Sequence, residues 1–324
     1  MKPLLMTLPF AVFLHSAAQA AQEAAAAFPS KPVRWVVGFA AGASNDVVAR
    51  TVSARLAESM GQQFIIDNRT GASGMIAGEI VARATPDGYT LLLATGGPNT
   101  AGPLLMRKPA YRAEDFEYAS VIAYSPFIII VTPTLPVKTP RELVDYLKAN
   151  PGKANWGSAG INSSPHVAMA TFLAATGTQV NHVPYKGSAV AIIDVVSGQI
   201  AGTHTTAASA EAQIRSNRVR VIAVAGPKRV PAIPDVPTLI ESGIANGDSI
   251  VWFGMAAPLK TPRAVIRKLN AAVTHALALP EVQRRLSDLG MEIVGGPPEA
   301  AAKFVRDETA RIRGLVAAGV LKQE

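Results

Sequence analysis

Residues 33–56 read VRWVVGFAAGASNDVVARTVSARL. The first part, residues 33–39, is an almost continuous apolar run, which suits a strand buried on both faces of a parallel sheet. Val48, Val52 and Leu56 then recur at helical spacing. Between strand and helix lie only small side chains. The unit is therefore strand, small-residue loop, helix. Further short apolar runs bounded by Gly or Pro follow at residues 89–95, 127–131, 219–225 and 251–257. Helical patterns lie between and after them, as in Ile266, Leu269, Val273 and Leu277. Strand and helix alternate from end to end, so the fold class is α/β.

Composition sets the outer limits. The chain has 324 residues, of which 49% are hydrophobic, and this excludes global disorder. Its length predicts two domains or one domain of roughly double size. There is no Cys, which removes disulfides, thiolate nucleophiles and Cys-ligated metals. The formal charge is +8 without any run of Lys or Arg, so nucleic acid is not an expected partner. A moderate positive excess instead helps to draw in a small anion.

Residues 1–20, MKPLLMTLPFAVFLHSAAQA, combine Lys2, an apolar stretch from Leu4 to Leu14 and the small-x-small site Ala18-Gln19-Ala20. This is a cleavable signal peptide pattern, and its apolar part is about half the roughly 20 residues that span a bilayer. The mature chain is expected to begin near Ala21 and to work in the periplasm.

Helix starts are marked by Thr139-Pro140-Arg141-Glu142, which reads as a capping box, and by Thr261-Pro262 and Ser164-Pro165, where a hydroxyl precedes Pro. No tandem repeat and no long linker are evident, so the chain is expected to cross between its domains twice, near 124–126 and near 226–234. Domain I is then 28–124 plus 228–324, and domain II is 125–227. Dinucleotide, NTPase, zincin and hydrolase signatures are missing. Beyond His15, the histidines His166, His182, His204 and His275 lie far apart, and neither metal nor cofactor is expected.

The informative loops are Phe39-Ala40-Ala41-Gly42-Ala43-Ser44-Asn45-Asp46 and Trp156-Gly157-Ser158-Ala159-Gly160-Ile161-Asn162-Ser163-Ser164, each leaving a strand and entering a helix. Small residues make tight turns and caps, but they also leave backbone N–H groups open at a helix N-terminus, where a carboxylate is favoured. Thr95-Gly96-Gly97-Pro98-Asn99-Thr100 is a third lip. Asp46 would repel an anion, so it is expected to order its own loop or to hold a water.

Together the segments FPSKPVRWVVGFAAGASNDVVAR, IDNRTGASG, ARATPDGYTLLLATGG, WGSAGINSSPH, HVPYKGSA, PDVPTLIESG and WFGMAAPLKTP resemble, in order, the substrate-binding receptors of tripartite tricarboxylate transporters, the Bug family. The resemblance implies a type II periplasmic binding-protein fold: two α/β domains around a hinge, closing on a small carboxylate-containing ligand. It implies a monomer that delivers this ligand to an integral-membrane transporter component, or presents its closed form to a sensor. By the same carry-over, the loops Ala41–Asp46 and Ser158–Ser164 grip one carboxylate, and His182 to Gly187, with Tyr185, ends a strand near the cleft, where Lys186 either meets a second carboxylate or faces solvent. Two departures stand out. Gly42-Ala43 replaces a usual pair of glycines, and Gly198-Gln199-Ile200-Ala201-Gly202-Thr203-His204-Thr205 lacks two acidic positions that relatives carry. Thr203, His204 and Thr205 thereby become neutral donors, or His204 simply packs in place of an aromatic ring. Loss of the acids points to a ligand without an ammonium group. An enzyme would need Ser158 or Ser163 to pair with His166, and the sequence names no third group to orient them.

Overall fold

The computed structural model describes residues 27–323, and the expected signal peptide lies outside the described residues. The first part of the chain forms β1 (Val33–Val37), α1 (Ser44–Met60), β2 (Phe64–Asn68), α2 (Met75–Ala82), β3 (Thr90–Thr95) and a short α3 (Gly102–Leu105). The long strand β4 (Phe116–Val131) leads to α4 (Pro140–Ala149), β5 (Asn155–Ser158), α5 (Ser164–Thr176), β6 (Asn181–Pro184), α6 (Ser188–Ser197), β7 (Gly202–Thr205), α7 (Ala207–Arg215) and β8 (Arg220–Ala225). Last come β9 (Ile250–Pro258), α8 (Arg263–Ala278), α9 (Pro280–Asp288), β10 (Glu292–Gly295) and α10 (Pro298–Ala317).

Two half-sheets share one topology. In the first, β1 lies parallel between β2 and β3, and β9 runs antiparallel between β3 and β4. In the second, β5 lies parallel between β6 and β7, and the end of β4 runs antiparallel between β7 and β8. Each half thus receives its antiparallel strand from elsewhere in the chain. The backbone path repeats although the sequence does not.

Strand β4 joins the halves. Its residues up to Pro126 pair with β9, and from Phe127 onward they pair with β7 and β8. Pro126 sits at the change of partner, where a missing N–H is tolerated. Because Pro126 interrupts the pattern, the sequence shows only the last part of this strand. The chain returns at Ser249, whose N–H donates to Ala225 O and whose carbonyl accepts from Phe127 N–H. This return is later than the expected 226–234. Val224 bridges Thr238, and Val230 and Ile233 pack with Ala207, Ala210 and Val224, so residues 226–249 stay with the second half-sheet.

Helix entries differ from expectation by one residue in two places. The N-cap of α5 is Ser163, whose hydroxyl accepts from His166 N–H, so Ser164 is free for another role. At α8 the N-cap is Pro262, and Thr261 Oγ1 donates instead to Pro258 O. Thr139 does cap α4, accepting from Glu142 N–H. The periodic residues Val48, Val52, Leu56, Leu269 and Val273 are all buried in the main core.

Ile129 is fully buried at the point where β4 pairs with both His204 and Ala223. Ile129→Ala is expected to destabilise the fold by about 2–5 kcal/mol, lowering the urea midpoint at unchanged slope.

Candidate functional site

The loops that follow β1, β2 and β3 face those that follow β5, β6 and β7, so both sets lie beyond the carboxyl ends of parallel strands. Among the described residues, two hydrogen bonds join loops of the two halves. Ser73 Oγ donates to Ile161 O at 2.7 Å, and Gly97 N–H donates to Ser164 Oγ at 2.7 Å. A Cβ at Gly97 would stand 2.8 Å from Ser164 N, so only glycine admits this backbone approach.

Between the loops is a cavity of about 100 Å³. The starts of α1, α5, α6 and α7 all line it, through Ser44 and Asn45, Ser164 and Pro165, Ser188 and Ala189, and Ser209. A helix N-terminus carries partial positive charge and unpaired N–H groups. Side chains cap two of these helices, α5 through Ser163 and α7 through Thr206. The N-caps Ala43 of α1 and Gly187 of α6 supply no side-chain bond, so the first turns of these two helices keep donors open, one helix from each half. Asn45 Nδ2 and Thr95 Oγ1 are buried on the same cavity without a hydrogen-bond partner. Phe39, Phe127, Val190 and Val251 form apolar walls. Lys186 is the one charged side chain on the lining. It also lines an adjoining mouth of about 260 Å³, which shares Phe39, Ala40, Ala159 and Gly187 with the cavity and adds Ser73 and Tyr185.

Of the residues expected from the sequence, Ala43, Ser44, Asn45, Thr95 and Ala159 line the inner cavity and Tyr185 lines the mouth. Tyr185 directs its hydroxyl away, to Asp194 Oδ2 at 2.6 Å. Gly96 borders a separate small space beside Ser164. Ala41 and Gly42 are exposed outside the cavity, and Gly42 N–H is already taken by Asp46. Ser158, Gly160, Asn162 and Ser163 hold their own loop. Ser163 Oγ donates to Gly160 O at 2.6 Å, Gly160 N–H donates to Ser158 Oγ, and Asn162 N–H donates to His166 Nδ1 at 3.1 Å.

None of Thr203, His204 and Thr205 reaches either cavity lining. Thr203 Oγ1 donates to Gly157 O. The buried His204 accepts from Trp156 Nε1–H and packs on Trp156 and Phe172, while burial pushes its pKa down to about 3. The packing reading of His204 therefore describes its surroundings. His166 bonds neither Ser158 nor Ser163 through its ring; it stacks on His182 at 4.5 Å, and burial, then the His182 charge, lowers its pKa to about 4. Ser158 Oγ instead meets His182 Nε2 at 2.7 Å, away from the cavity.

The sequence reading missed Phe127, Thr206, Ser209 and the first turn of α6 as lining residues, whereas Phe39 and Ser164 stand in the two loops it singled out. The cap pattern from Thr206 to Ser209 was a usable signal, whereas Phe127 and Val251 arrive only through the crossing strands.

Asp46 orders its loop. Its carboxylate accepts from Gly42 N–H at 3.0 Å, Arg50 Nε at 2.8 Å and Asn68 Nδ2 at 3.0 Å. Burial alone would raise its pKa, but the bonds from Arg50, Gly42 and Asn68 outweigh that and hold it below the usual value of 3.8. A depressed carboxyl stabilises the fold above its unfolded pKa and loses this contribution as pH falls through the folded one. Asp46→Asn is expected to destabilise the protein at neutral pH by about 1–3 kcal/mol. Urea unfolding should show the gap between variant and parent closing as pH drops below the ordinary carboxylate range.

The sequence profile of the "Tripartite tricarboxylate transporter family receptor" matches residues 48–320. Protein BugT of Bordetella pertussis is 31% identical over 307 residues, which are 94% of each chain. The structure of the periplasmic binding protein BugD is similar at 35% identity and a TM-score of 0.85, over 91% of this chain and 100% of that one. A Rhodopseudomonas palustris protein, MatC, with bound malate is 32% identical with a TM-score of 0.84, over 89% and 100%. An R. palustris protein with adipate is 33% identical with a TM-score of 0.86, over 90% and 97%. With this profile, these neighbours and the two-part α/β architecture, the chain belongs to the Bug family of tripartite tricarboxylate transporter receptors, which are periplasmic solute-binding proteins.

Proposed function

We propose that this protein captures a small carboxylate in the periplasm by closing two lobes around it and delivers it, as a monomer, to an integral-membrane transporter component. The lobes divide where strand pairing changes, with 28–124 and 250–323 on one side and 127–249 on the other. Export through residues 1–20 is part of this reading.

One observation carries it. Asn45 Nδ2 and Thr95 Oγ1, buried and unpartnered, share a cavity of about 100 Å³ with two helix starts that no side chain caps. Buried donors without partners are unfavourable unless a ligand or water satisfies them, and an anion at two helix N-termini does so most strongly. The malate and adipate bound by similar proteins support a carboxylate as that anion. Neither Asp nor Glu is on the cavity or mouth lining, so an ammonium group would lose its hydration there without an ionic partner. The ligand is accordingly a carboxylic acid rather than an amino acid. No bond needs to break: Ser163 is engaged as a cap and Ser158 lies off the cavity, so no serine–histidine pair meets a ligand.

Protein refolded free of ligand is to be screened by thermal shift and calorimetry against malate, succinate, adipate, benzoate and glutamate. An acid at about 100 times its Kd should add roughly 2.7 kcal/mol of stability. Thr95→Val and Asn45→Ala should each weaken that acid roughly tenfold or more. Thr95→Val should not lower the ligand-free melting temperature, because the hydroxyl it removes has no partner. Unchanged affinity in both variants, or silence across all the acids, would overturn the reading.

A further inference from the structure

The loop Thr70-Gly71-Ala72-Ser73-Gly74 joins β2 to α2, and its conformation is unusual. Gly71, Ala72, Ser73 and Gly74 all have positive φ, at 128°, 44°, 54° and 91°. Side-chain-bearing residues seldom enter the left-handed region, and two in succession persist only where the surroundings hold them. Three bonds do so here, one of them from Met75 N–H to Ala72 O. Gly74 N–H donates to Gly71 O within the loop, and Ser73 Oγ donates to Ile161 O across the cleft. The facing residue is matched to that hydroxyl: a Cβ at Gly160 would stand 2.6 Å from Ser73 Oγ.

The two bonds between the halves differ in position. Gly97 and Ser164 border a small space together with Ser249 and Ile250, where the chain crosses, so their bond lies close to the pivot. Ser73 lines the open mouth, away from that crossing. Rotation about the crossing strands moves pivot atoms little and lip atoms far. Opening must therefore break the Ser73–Ile161 bond, whereas it need not break the Gly97–Ser164 bond.

We propose that Ser73 is a positioning residue for ligand retention: the strained turn holds its hydroxyl at the lip, and the bond to the Ile161 carbonyl biases the two lobes toward the closed state. This rests on the reading that the lobes close around the ligand. It differs from ligand contact, because the inner cavity is lined without Ser73. The hydroxyl changes how long the cleft stays shut rather than what enters it.

The absence of Cys allows two spin labels to be placed cleanly, through Arg83→Cys just after α2 and Arg215→Cys on α7, both exposed. Interlobe distances are then measured with and without saturating malate or adipate. In the labelled parent, separate closed and open distances are expected. Ser73→Ala should lower the closed-to-open ratio roughly three- to tenfold, the worth of one hydrogen bond, without lowering the melting temperature. Ala72→Gly eases the same turn and keeps the hydroxyl, so its closed fraction should equal or exceed the parent's. An unchanged distribution in Ser73→Ala, or an equal loss in Ala72→Gly, would overturn the latch while leaving lobe closure standing. A single distance in the parent under every condition would overturn lobe closure itself, and the latch with it.

Discussion

Everything in this molecule depends on β4 being hydrogen-bonded in two places at once. Nearly all of its residues are buried, and buried backbone groups must be paired. The strand finds β9 for its first part and β7 and β8 for its last. Because the same strand completes both half-sheets, the halves cannot separate. Besides β4 and the return through Ser249, the halves touch where Val167 packs with Ala101, Leu105 and Ile312 and at the Ser73–Ile161 and Gly97–Ser164 bonds, while their loop-bearing ends face each other across the cleft. The cleft is thus a consequence of how one strand satisfies its N–H and C=O groups.

The chemistry of that cleft comes from how helix ends are capped. Parallel strands deliver α1, α5, α6 and α7 to it N-terminus first. Serine and threonine close off α5 and α7, whereas Ala43 and Gly187 leave α1 and α6 without a side-chain cap. Selective capping therefore concentrates the open donors on two helices from opposite halves. A receptor must also let its ligand leave, and neutral N–H groups hold an anion without the deep desolvation of a buried salt bridge. Apart from Lys186 on the lining, the charged and titratable groups close to the site serve the scaffold. Asp46 ties Gly42, Arg50 and Asn68 together outside the cavity. Burial keeps His166 and His204 neutral, at pKa values of about 4 and 3.

Much of this was legible in the residues. Apolar runs ending in small-residue loops marked strands that feed helices, and Ser44, Asn45, Thr95 and Ala159 were reached from that pattern. The misses share a cause. Ser163 and Ser164 differ by one position, yet one caps α5 and the other accepts a bond from the opposite half, and only the backbone angles separate those roles. Thr203 and Thr205 alternate with His204 along β7, but alternation does not tell which face of a strand looks into a cavity. Phe127 and Val251 are far apart in sequence and meet because β4 and β9 pair.

By itself, the sequence determined the class of the fold, the approximate places where helices begin, the lack of thiol chemistry and the small-residue loops suited to an anion. These are local properties, set by side-chain periodicity, backbone freedom and composition. Only the tertiary structure decided where β4 changes partners, which helix ends remain uncapped and which polar atoms are buried without a partner. Such facts are relations between segments distant in the chain. They depend on strand register and on the approach of two backbones, as at Gly97 and Ser164, and no local pattern of residues encodes them.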